Sequence, residues 1–339
     1  MKTINVLVTG IGGPTAQGVL RGFLEKDNVH VIGVDRRAVT SGNQFCDKTY
    51  TISRFSDLQA YKAEIKELVE KESIDVIFPA LHEEIEVFQE FRHELDVAVA
   101  LPESDHFDVL ADKEKIYGFL QEQGLSRYIP TYVGFSNTEE LKPIAEKEFP
   151  DEEYIVVKQI NGYGALGFAM LTNRENYLRA LKEGKSKIVN IDDYADIPSA
   201  DRRIVMEYLG GTEYSVDVFM HQGEVVTAVP RERTGVSNGI VLDGKVVHNE
   251  ELIEAAAEIS KVLVTDGFIN LQFFSTASGY RLTDVNARFC GSQVMSLGAG
   301  VNFPYLFIQY KLLGEREEVS PRWNTRMIRF RDHFYVYED

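Results

Sequence analysis

The chain has 339 residues, of which 44% are hydrophobic and 26% are charged. That length and apolar fraction are enough for two or three packed domains and argue against wholesale disorder. The formal net charge of −17 argues against a general nucleic-acid or membrane-surface binder, because both of those partners are polyanions.

The cysteines and the N-terminus bear on the cellular compartment. Cys46 and Cys290 have no CxxC partner, which favours two reduced thiols over a zinc site or a disulfide framework. The first residues, MKTINVLVTG, read as a strand and not as a signal peptide. No apolar run approaches the roughly 18 residues of a membrane helix. We therefore expect a cytoplasmic protein that binds neither membrane nor nucleic acid.

The first hundred residues alternate apolar strands with amphipathic helices. INVLVTG, VHVIGV, IDVIF and VAVAL read as buried parallel strands. Between them, apolar residues recur at helical spacing, as in Leu58, Tyr61, Ile65 and Leu68. Repeated βα units of this kind predict a doubly wound α/β domain with a parallel sheet over residues 1–108.

The opening stretch VLVTGIGGPTAQG, residues 6–18, runs from a strand through a glycine-rich turn into a helix, as dinucleotide-binding folds do. The fingerprint of those folds needs a third glycine where Thr15 stands. An NAD-dependent oxidoreductase is one hypothesis, and it predicts tight NAD binding. The alternative is that the N–H groups of the turn seat an acidic co-substrate, which leaves Asp35 a structural role. His82 and Glu84 follow the strand IDVIF and are further candidates for substrate contact.

Residues 109–339 follow a different pattern. DKEKIYGFLQEQG reads as a helix closed by Gly124, and two later segments read as hairpins that turn at Gly223 and Gly279. Strands joined by hairpins indicate an α+β architecture with antiparallel sheets.

A polar strand face is predicted near the end of the chain. In TDVNARF, alternate residues share one side of a strand, so Asp284, Asn286 and Arg288 point the same way. Asn270 and Gln272 have the same period on the partner strand. Oxygen ligands of this kind suit Mg²⁺, and a guanidinium can steady a transferring phosphoryl group. The other interpretation is a solvated face of an antiparallel sheet.

KQINGYGALG is a strand end followed by a glycine loop. Gly162, Gly164 and Gly167 allow backbone N–H groups to lie against phosphate oxygens, and Lys158 adds a positive charge. The Gly-Lys-Ser/Thr ending of a Walker A loop is missing, and an ordinary hairpin is the plainer interpretation. Lys113 begins a helix, where a lysine is most often a solvated residue.

MEYLGGTE and PRERTG complete the set of motifs. The first is a strand end whose backbone groups and Glu213 can hold an adenine edge and ribose hydroxyls, although Glu207 and Glu213 taken singly are ordinary exposed carboxylates. In the second, Arg231 and Arg233 have strand spacing and project together. They indicate an anion, either a substrate carboxylate or a phosphate, or else a cross-strand ion-pair network.

The order of these five motifs resembles the ATP-grasp superfamily, and specifically members like the synthetase halves of the carbamoyl-phosphate synthase large chain. The resemblance covers roughly residues 108–315. It implies that ATP binds between two subdomains of an ATP-grasp domain at 109–339. Its lid would span about 128–205 and its C-terminal metal- and ATP-binding part about 206–339. The domain at 1–108 is similar to the one that precedes the grasp in that family.

The resemblance also implies roles for individual residues. Those expected to bind ATP are Lys113 and Lys158 at its phosphates, Gly162, Gly164 and Gly167 in the closing loop 161–167, Glu207, Tyr208 and Leu209 at the adenine, and Glu213 at the ribose. Those expected to hold Mg²⁺, or Mn²⁺ in its place, are Gln272, Asp284 and Asn286. Arg288 is expected at the γ-phosphate, and Arg231 and Arg233 are the other candidate catalytic residues.

One departure from the family pattern affects the metal count. The second metal ligand is Glu in most relatives and is Asp284 here, one methylene shorter. That leaves open whether one ion or two bind.

The activity that the resemblance implies is an ATP-dependent carboxylate–amine ligase, which forms an acyl phosphate and releases ADP and phosphate. Relatives are often dimers, so a homodimer is among the expectations. One alternative is a stand-alone carbamoyl-phosphate synthase-like half that makes a carbamoyl or acyl phosphate. Another is a non-catalytic ATP-binding protein. The sequence names neither the acid nor the amine.

Overall fold

The computed structural model describes residues 3–161, 167–185, 187–237, 239–330 and 332–336. The chain divides into two compact units. Unit 1 comprises Met1–His106, Glu213–Gln272 and Val285–Asp339, and unit 2 comprises Phe107–Thr212 and Phe273–Asp284. The first break, after His106, lies near the predicted limit at residue 108. The predicted domain limits themselves stay predictions.

The N-terminal part of unit 1 is a parallel sheet with helices between its strands. The strands are β1 (Ile4–Val8), β2 (Val29–Asp35), β3 (Lys48–Thr51), β4 (Val76–Phe78) and β5 (Ala98–Val99), and the helices are α1 (Pro14–Leu20), α2 (Leu58–Lys71) and α3 (Glu84–Phe91). All neighbours pair in parallel, in the order β3-β2-β1-β4-β5. The doubly wound prediction is confirmed. Strand β3 was not predicted, because its sequence KTYT is polar and none of its residues is buried.

Unit 2 contains a five-stranded mixed sheet and short helices. Its elements are α4 (Phe107–Leu110), α5 (Lys113–Glu122), β6 (Tyr132–Phe135), α6 (Leu141–Glu148), β7 (Ile155–Gln159), β8 (Ala169–Thr172), α7 (Arg174–Lys182), β9 (Ile188–Asn190), α8 (Ile191–Ala195) and β10 (Arg203–Glu207). The order is β6-β10-β7-β8-β9, antiparallel except for the pair β8-β9. Helix α5 begins where the Asp112 carboxylate accepts from the N–H groups of Glu114 and Lys115, and Gly124 follows it with φ +75°.

The remaining elements build a six-stranded sheet. They are β11 (Glu213–His221), β12 (Glu224–Ser237), β13 (Ile240–Val246), α9 (Glu250–Leu263), β14 (Gly267–Thr276), β15 (Gly279–Asn286), α10 (Val294–Gly298), α11 (Phe303–Ile308) and β16 (Arg326–Ile328). The strand order is β15-β14-β11-β12-β13-β16. The two predicted hairpins are confirmed, with Gly223 at φ +78° and Gly279 at φ +104° in their turns. The α+β prediction for this half of the chain is therefore confirmed.

The core of unit 1 joins the parallel sheet to the C-terminal strands. The rings of Phe268 and Phe289 stack with centroids 4.5 Å apart, and Phe78 of β4 lies 5.4 Å from Phe289. All three are fully or almost fully buried. The segment after β15 is thus packed against the first domain. Within the ranges given above, no helix is long and apolar enough to span a bilayer.

Candidate active site

Two lysines of unit 2 lie against one stretch of β15. Lys158 at the end of β7 donates from Nζ to the Thr283 carbonyl oxygen at 3.2 Å, and Lys113 Nζ lies 3.3 Å from the Asp284 carboxylate. Lys113 is buried, and its backbone N–H donates to the Ile160 carbonyl at 3.1 Å. The structure therefore brings together the two lysines that the sequence assigned to phosphates, beside one predicted metal ligand.

An apolar cluster adjoins Lys158 on β7. Val156 shares a side of that strand with Lys158, because they are alternate residues. The cluster consists of buried Val156, Met206 and Leu209 with partly buried Tyr132, Phe168 and Phe274. Sequence reasoning missed Phe168 and Phe274. The sequence signal for Phe168 was its position directly after the glycine loop. The signal for Phe274 was its position two residues after Gln272, on the same side of β14.

A cavity of about 480 Å³ in unit 2 follows the end of β10. It is lined by Glu207, Tyr208, Leu209, Gly210, Gly211, Ser275, Thr276 and Ala277. The Glu207 carboxylate accepts from the Thr131 N–H at 2.7 Å, so that side chain holds the strand end in place. Gly211 has to be glycine, because a Cβ there would lie 1.8 Å from the Ser275 carbonyl oxygen. A cavity of this size is within the range of small-molecule sites.

The glycine loop is described only at its ends. Gly162 and Gly164 lie outside the described residues. Gly167 has φ +66°, and a Cβ there would lie 2.5 Å from Cγ of Gln159. Both facts make glycine the suitable residue at 167.

The two arginines of PRERTG lie on the same side of β12, and each has a carboxylate partner in unit 1. Arg231 is 0% exposed, with Nη2 2.6 Å from Asp217 Oδ1, and Nη1 donates to the Ser292 carbonyl at 2.7 Å. Arg233 lies 2.7 Å from Glu213. The structure thus shows the ion-pair network that the sequence left open. A fully buried, paired guanidinium offers no surface to a ligand, so direct substrate contact by Arg231 does not fit this geometry.

Asp217 is the centre of a buried polar network in unit 1. Besides Arg231, its carboxylate accepts from Asn270 Nδ2 at 2.8 Å and from the Ser296 hydroxyl at 2.7 Å. Asn270 Oδ1 in turn accepts from Asn286 Nδ2 at 3.3 Å. Asp217, Asn270 and Ser296 are all almost completely buried. The predicted metal ligand Asn286 is therefore connected to a buried ion pair.

Arg288 lies beside the opening turn of the chain. Its Nη1 is 3.4 Å from the Thr15 hydroxyl and 3.0 Å from the Phe289 carbonyl. A Cβ on Gly291 would meet the Pro14 carbonyl at 2.7 Å, so the backbone of this segment packs directly on the turn. The turn predicted to seat an acidic co-substrate and the arginine predicted to act on phosphate are neighbours within unit 1.

Asp35 supports the opening turn. Its carboxylate accepts from the Gly12 N–H at 3.0 Å and pairs with Arg37 at 2.9 Å. Burial raises the pKa of Asp35, but the hydrogen bonds from Arg37 and Gly12 outweigh it and hold that pKa below its usual value. The expected structural role of Asp35 is confirmed. In a dinucleotide site the corresponding carboxylate would bind a ribose.

Glu84 is also structural, which corrects the expectation that it touches substrate. Only 2% of it is exposed, and it hydrogen-bonds the Thr9 hydroxyl and accepts from Tyr61 OH at 2.7 Å. Burial raises the pKa of Glu84 to about 7. Its carboxyl group therefore fastens the end of β1, where the opening turn begins. Substrate contact by His82 stays a prediction.

The donor atoms of the three predicted metal ligands can be compared with what Mg²⁺ prefers. Among the described residues, no three His, Cys, Asp or Glu side chains form a cluster that could hold a metal. The predicted set instead has one carboxylate, Asp284, and two amides, Gln272 and Asn286. The Asn286 nitrogen is used by Asn270, which leaves its oxygen for a ligand. A set of oxygen donors fits Mg²⁺.

Comparison with known families gives two matches, one in each half of the chain. Residues 199–331 match the family described as ATP-grasp in the biosynthetic pathway with Ter operon, and residues 6–101 match the PylC-like N-terminal domain. The chain therefore contains an ATP-grasp domain and a PylC-like N-terminal domain. The superfamily inferred from the order of the motifs is therefore confirmed. Among curated proteins, none matches the chain significantly in sequence.

Solved structures share the fold of this ATP-grasp protein at low identity. The biotin carboxylase domain of 2-oxoglutarate carboxylase from Hydrogenobacter thermophilus, in complex with Mg·ADP and bicarbonate, aligns with a TM-score of 0.68 at 17% identity, over 96% of this chain and 74% of that one. An L-amino acid ligase from Bacillus licheniformis gives 0.63 at 13%, over 94% and 78%. N5-carboxyaminoimidazole synthetase from Staphylococcus aureus gives 0.60 at 14%, over 88% and 74%.

Proposed function

We propose that this ATP-grasp protein is an ATP- and Mg²⁺-dependent ligase that converts a small carboxylate to an acyl phosphate and couples it to an amine. The observation that carries the proposal is the arrangement in unit 2. Lys113 and Lys158 contact the same stretch of β15. Val156 of the apolar cluster is two residues before Lys158, on the same side of β7. Two fixed ammonium groups beside an apolar surface suit a nucleotide, whose phosphates are anionic and whose base is flat and apolar.

The nucleotide would be bound by both kinds of surface. We place the adenine on Val156, Met206 and Phe274, with its edge on the backbone of Glu207–Leu209. The Glu207 carboxylate accepts from the Thr131 N–H, and the Glu207 N–H donates to the Thr131 carbonyl, so the backbone groups of Tyr208 and Leu209 are the ones that we expect to read the base. Lys113 and Lys158 would then lie at the phosphates, where they supply local positive charge in a chain whose net charge is −17.

The reaction divides into two displacements. A carboxylate oxygen attacks the γ-phosphorus of ATP, the bond to the β,γ-bridging oxygen breaks, and ADP leaves. The amine then attacks the acyl carbon, the carbon–oxygen bond to phosphate breaks, and the amine loses a proton. Lys113 and Lys158 would stabilise the negative charge that develops on the phosphoryl oxygens, a role that the resemblance also implies for Arg288. Mg²⁺ held by Gln272, Asp284 and Asn286 would supply further charge neutralisation.

The acid would sit at the opening turn, next to Arg288. The contact between Arg288 and Thr15 supports this placement, because it joins the phosphoryl-handling side chain to the turn within one unit. Arg231 is a supporting residue in this proposal, since its guanidinium is buried. Arg233 and Glu213 pair with each other, and the Glu213 carboxylate has a second oxygen that could accept from a ribose hydroxyl.

Phosphate release tests the proposal. Purified protein is incubated with ATP, Mg²⁺ and pairs of small acids and amines, with the twenty amino acids first because one fold relative is an L-amino acid ligase. Release that needs both partners and yields an amide by mass spectrometry is the expected result. Release that needs bicarbonate and ammonia would favour the carbamoyl-phosphate synthase-like alternative. Absence of ADP binding by calorimetry would contradict any ATP-dependent function.

A further inference from the structure

The buried network around Asp217 has a fixed hydrogen-bond direction. A carboxylate paired with a guanidinium is ionised and can only accept hydrogen bonds. Its oxygens accept from Arg231 Nη2, Asn270 Nδ2 and Ser296 Oγ, at 2.6, 2.8 and 2.7 Å. Because Asn270 must present its NH₂ group to Asp217, its carbonyl oxygen necessarily faces the other way.

The orientation of the Asn270 amide in turn fixes the orientation of the Asn286 amide. Asn270 Oδ1 is an acceptor, so the neighbouring Asn286 must present its own NH₂ group there, and it does so at 3.3 Å. The Asn286 oxygen is thereby directed away from the network. A second donor bond from Asn270 Nδ2 to the Val216 carbonyl, at 3.4 Å, holds the first amide in the same orientation. One negative charge therefore sets the orientation of two amides in series.

We propose that Asp217 is a positioning residue that fixes the Asn270 amide and, through it, turns the Asn286 oxygen toward the metal of bound Mg·ATP. The inference rests on the proposed function, in which Asn286 is a metal ligand. Arg231 keeps the carboxylate charged in a fully buried site and also holds the Ser292 carbonyl. In this proposal the Arg231–Asp217 ion pair positions a metal ligand and does not itself contact a ligand.

Well-packed apolar side chains could fill the space that the Asp217 network occupies. Buried ion pairs give little net stability over well-packed apolar residues, because desolvation offsets their attraction. Because the network ends at the predicted metal ligand Asn286, we infer that it orients this ligand in addition to any effect on stability. Partners that orient a ligand change metal affinity or activity by roughly 10- to 100-fold when they are removed.

Binding of Mn²⁺ together with ADP tests the inference without turnover. Electron paramagnetic resonance measures Mn²⁺ affinity in the presence of ADP, and calorimetry measures ADP affinity without metal. Asp217→Asn keeps the shape but removes the acceptor-only character. Asn270→Leu breaks the relay while leaving the Asp217–Arg231 pair in place, so it decides the matter if Asp217→Asn does not fold. Ser296→Ala is the matched control, because it removes a different donor to the same carboxylate.

We expect Asp217→Asn and Asn270→Leu to weaken Mn²⁺ binding by roughly 10- to 100-fold, with metal-free ADP affinity unchanged. Ser296→Ala should stay within about twofold of the wild type. The inference is overturned if Asn270→Leu binds Mn²⁺ as tightly as the wild type while Asn286→Ala binds it more weakly. Failure of the proposed function looks different, because the wild type itself would then not bind ADP.

Discussion

The two units hold their buried cations in different ways. In unit 1, Arg231 is completely enclosed, and the carboxylate of Asp217 also accepts from Asn270, Ser296 and the Cys290 thiol. In unit 2, Lys113 pairs with Asp284, and Lys158 donates to a backbone carbonyl. The first arrangement encloses its cation completely inside unit 1. The second places two ammonium groups next to an apolar cluster, which suits an anionic ligand with an apolar end.

Breaking the pair in unit 1 should give the largest effect on stability. Arg231→Met removes one partner of a fully buried pair and leaves Asp217 charged, so we expect a loss of about 3–5 kcal/mol in the free energy of unfolding. The control is Arg326→Met, which removes a surface pair with Asp243 and should leave the free energy of unfolding nearly unchanged. Urea denaturation measures both. Equal losses in the two variants would contradict the structural role given to Arg231.

Removing a cation from unit 2 should affect turnover and spare the fold. We expect Lys113→Ala to lower ATP-dependent phosphate release by roughly 100- to 1000-fold, because a fixed donor to the phosphoryl group is lost. Lys115→Ala is the matched control, since Lys115 is two residues away on α5 and pairs with Asp108 at the surface. Steady-state kinetics measures the change. A Lys113→Ala enzyme as active as Lys115→Ala would remove Lys113 from the site.

The sequence left two interpretations for the unit 1 arginines, an anion site and an ion-pair network, and the structure shows ion pairs. Strand spacing correctly gave Arg231 and Arg233 a common side of β12. Spacing carries no information about the depth of a side chain or its partner on another strand. Asp217 is 14 residues away from Arg231 along the chain, and the contact depends on how β11 pairs with β12. A single Asp inside the apolar stretch EYSVDVFM was the available signal, because buried carboxylates are usually paired.

The fold was easier to predict than the site for the same reason. Alternation of apolar strands and helices is local, and it gave the doubly wound domain, whereas the edge strand β3 has no apolar run and was missed. The apolar cluster in unit 2 needs residues from several strands. The local signals of Phe168 and Phe274 therefore do not show that the two rings belong to one cluster.

Glu84 is a buried carboxyl group that hydrogen-bonds the neutral side chains of Thr9 and Tyr61, whereas Asp217 pairs with a guanidinium. Its pKa is raised by burial from 4.5 to about 7. Its contribution to stability is therefore fully present below about pH 4.5 and is lost as the pH rises through 7. Relative to the wild type, Glu84→Gln should gain stability with rising pH, by roughly 3 kcal/mol at pH 8. Denaturation at pH 5, 6, 7 and 8 measures this, with the exposed Glu86→Gln as control. A difference independent of pH would contradict the assignment.

Two helical glycines extend the comparison between the units to the backbone. A Cβ on Gly18 of α1 would lie 2.9 Å from the Cys290 carbonyl oxygen and 3.2 Å from the Gly291 Cα, so the helix or the segment after β15 would have to shift. A Cβ on Gly118 of α5 would meet nothing within 4 Å. Both substitutions gain helix propensity of about 1 kcal/mol.

We therefore expect opposite signs from one chemical change. Gly118→Ala should stabilise the protein by up to about 1 kcal/mol. Gly18→Ala should destabilise it by about 1–2 kcal/mol, since the crowding of the backbone outweighs the gain in propensity. Because the Cys290–Gly291 segment follows Arg288 and packs on the opening turn, Gly18→Ala should also raise KM for the acid more than KM for ATP. An equal rise in the two KM values would contradict a specific role of the opening turn in binding the acid.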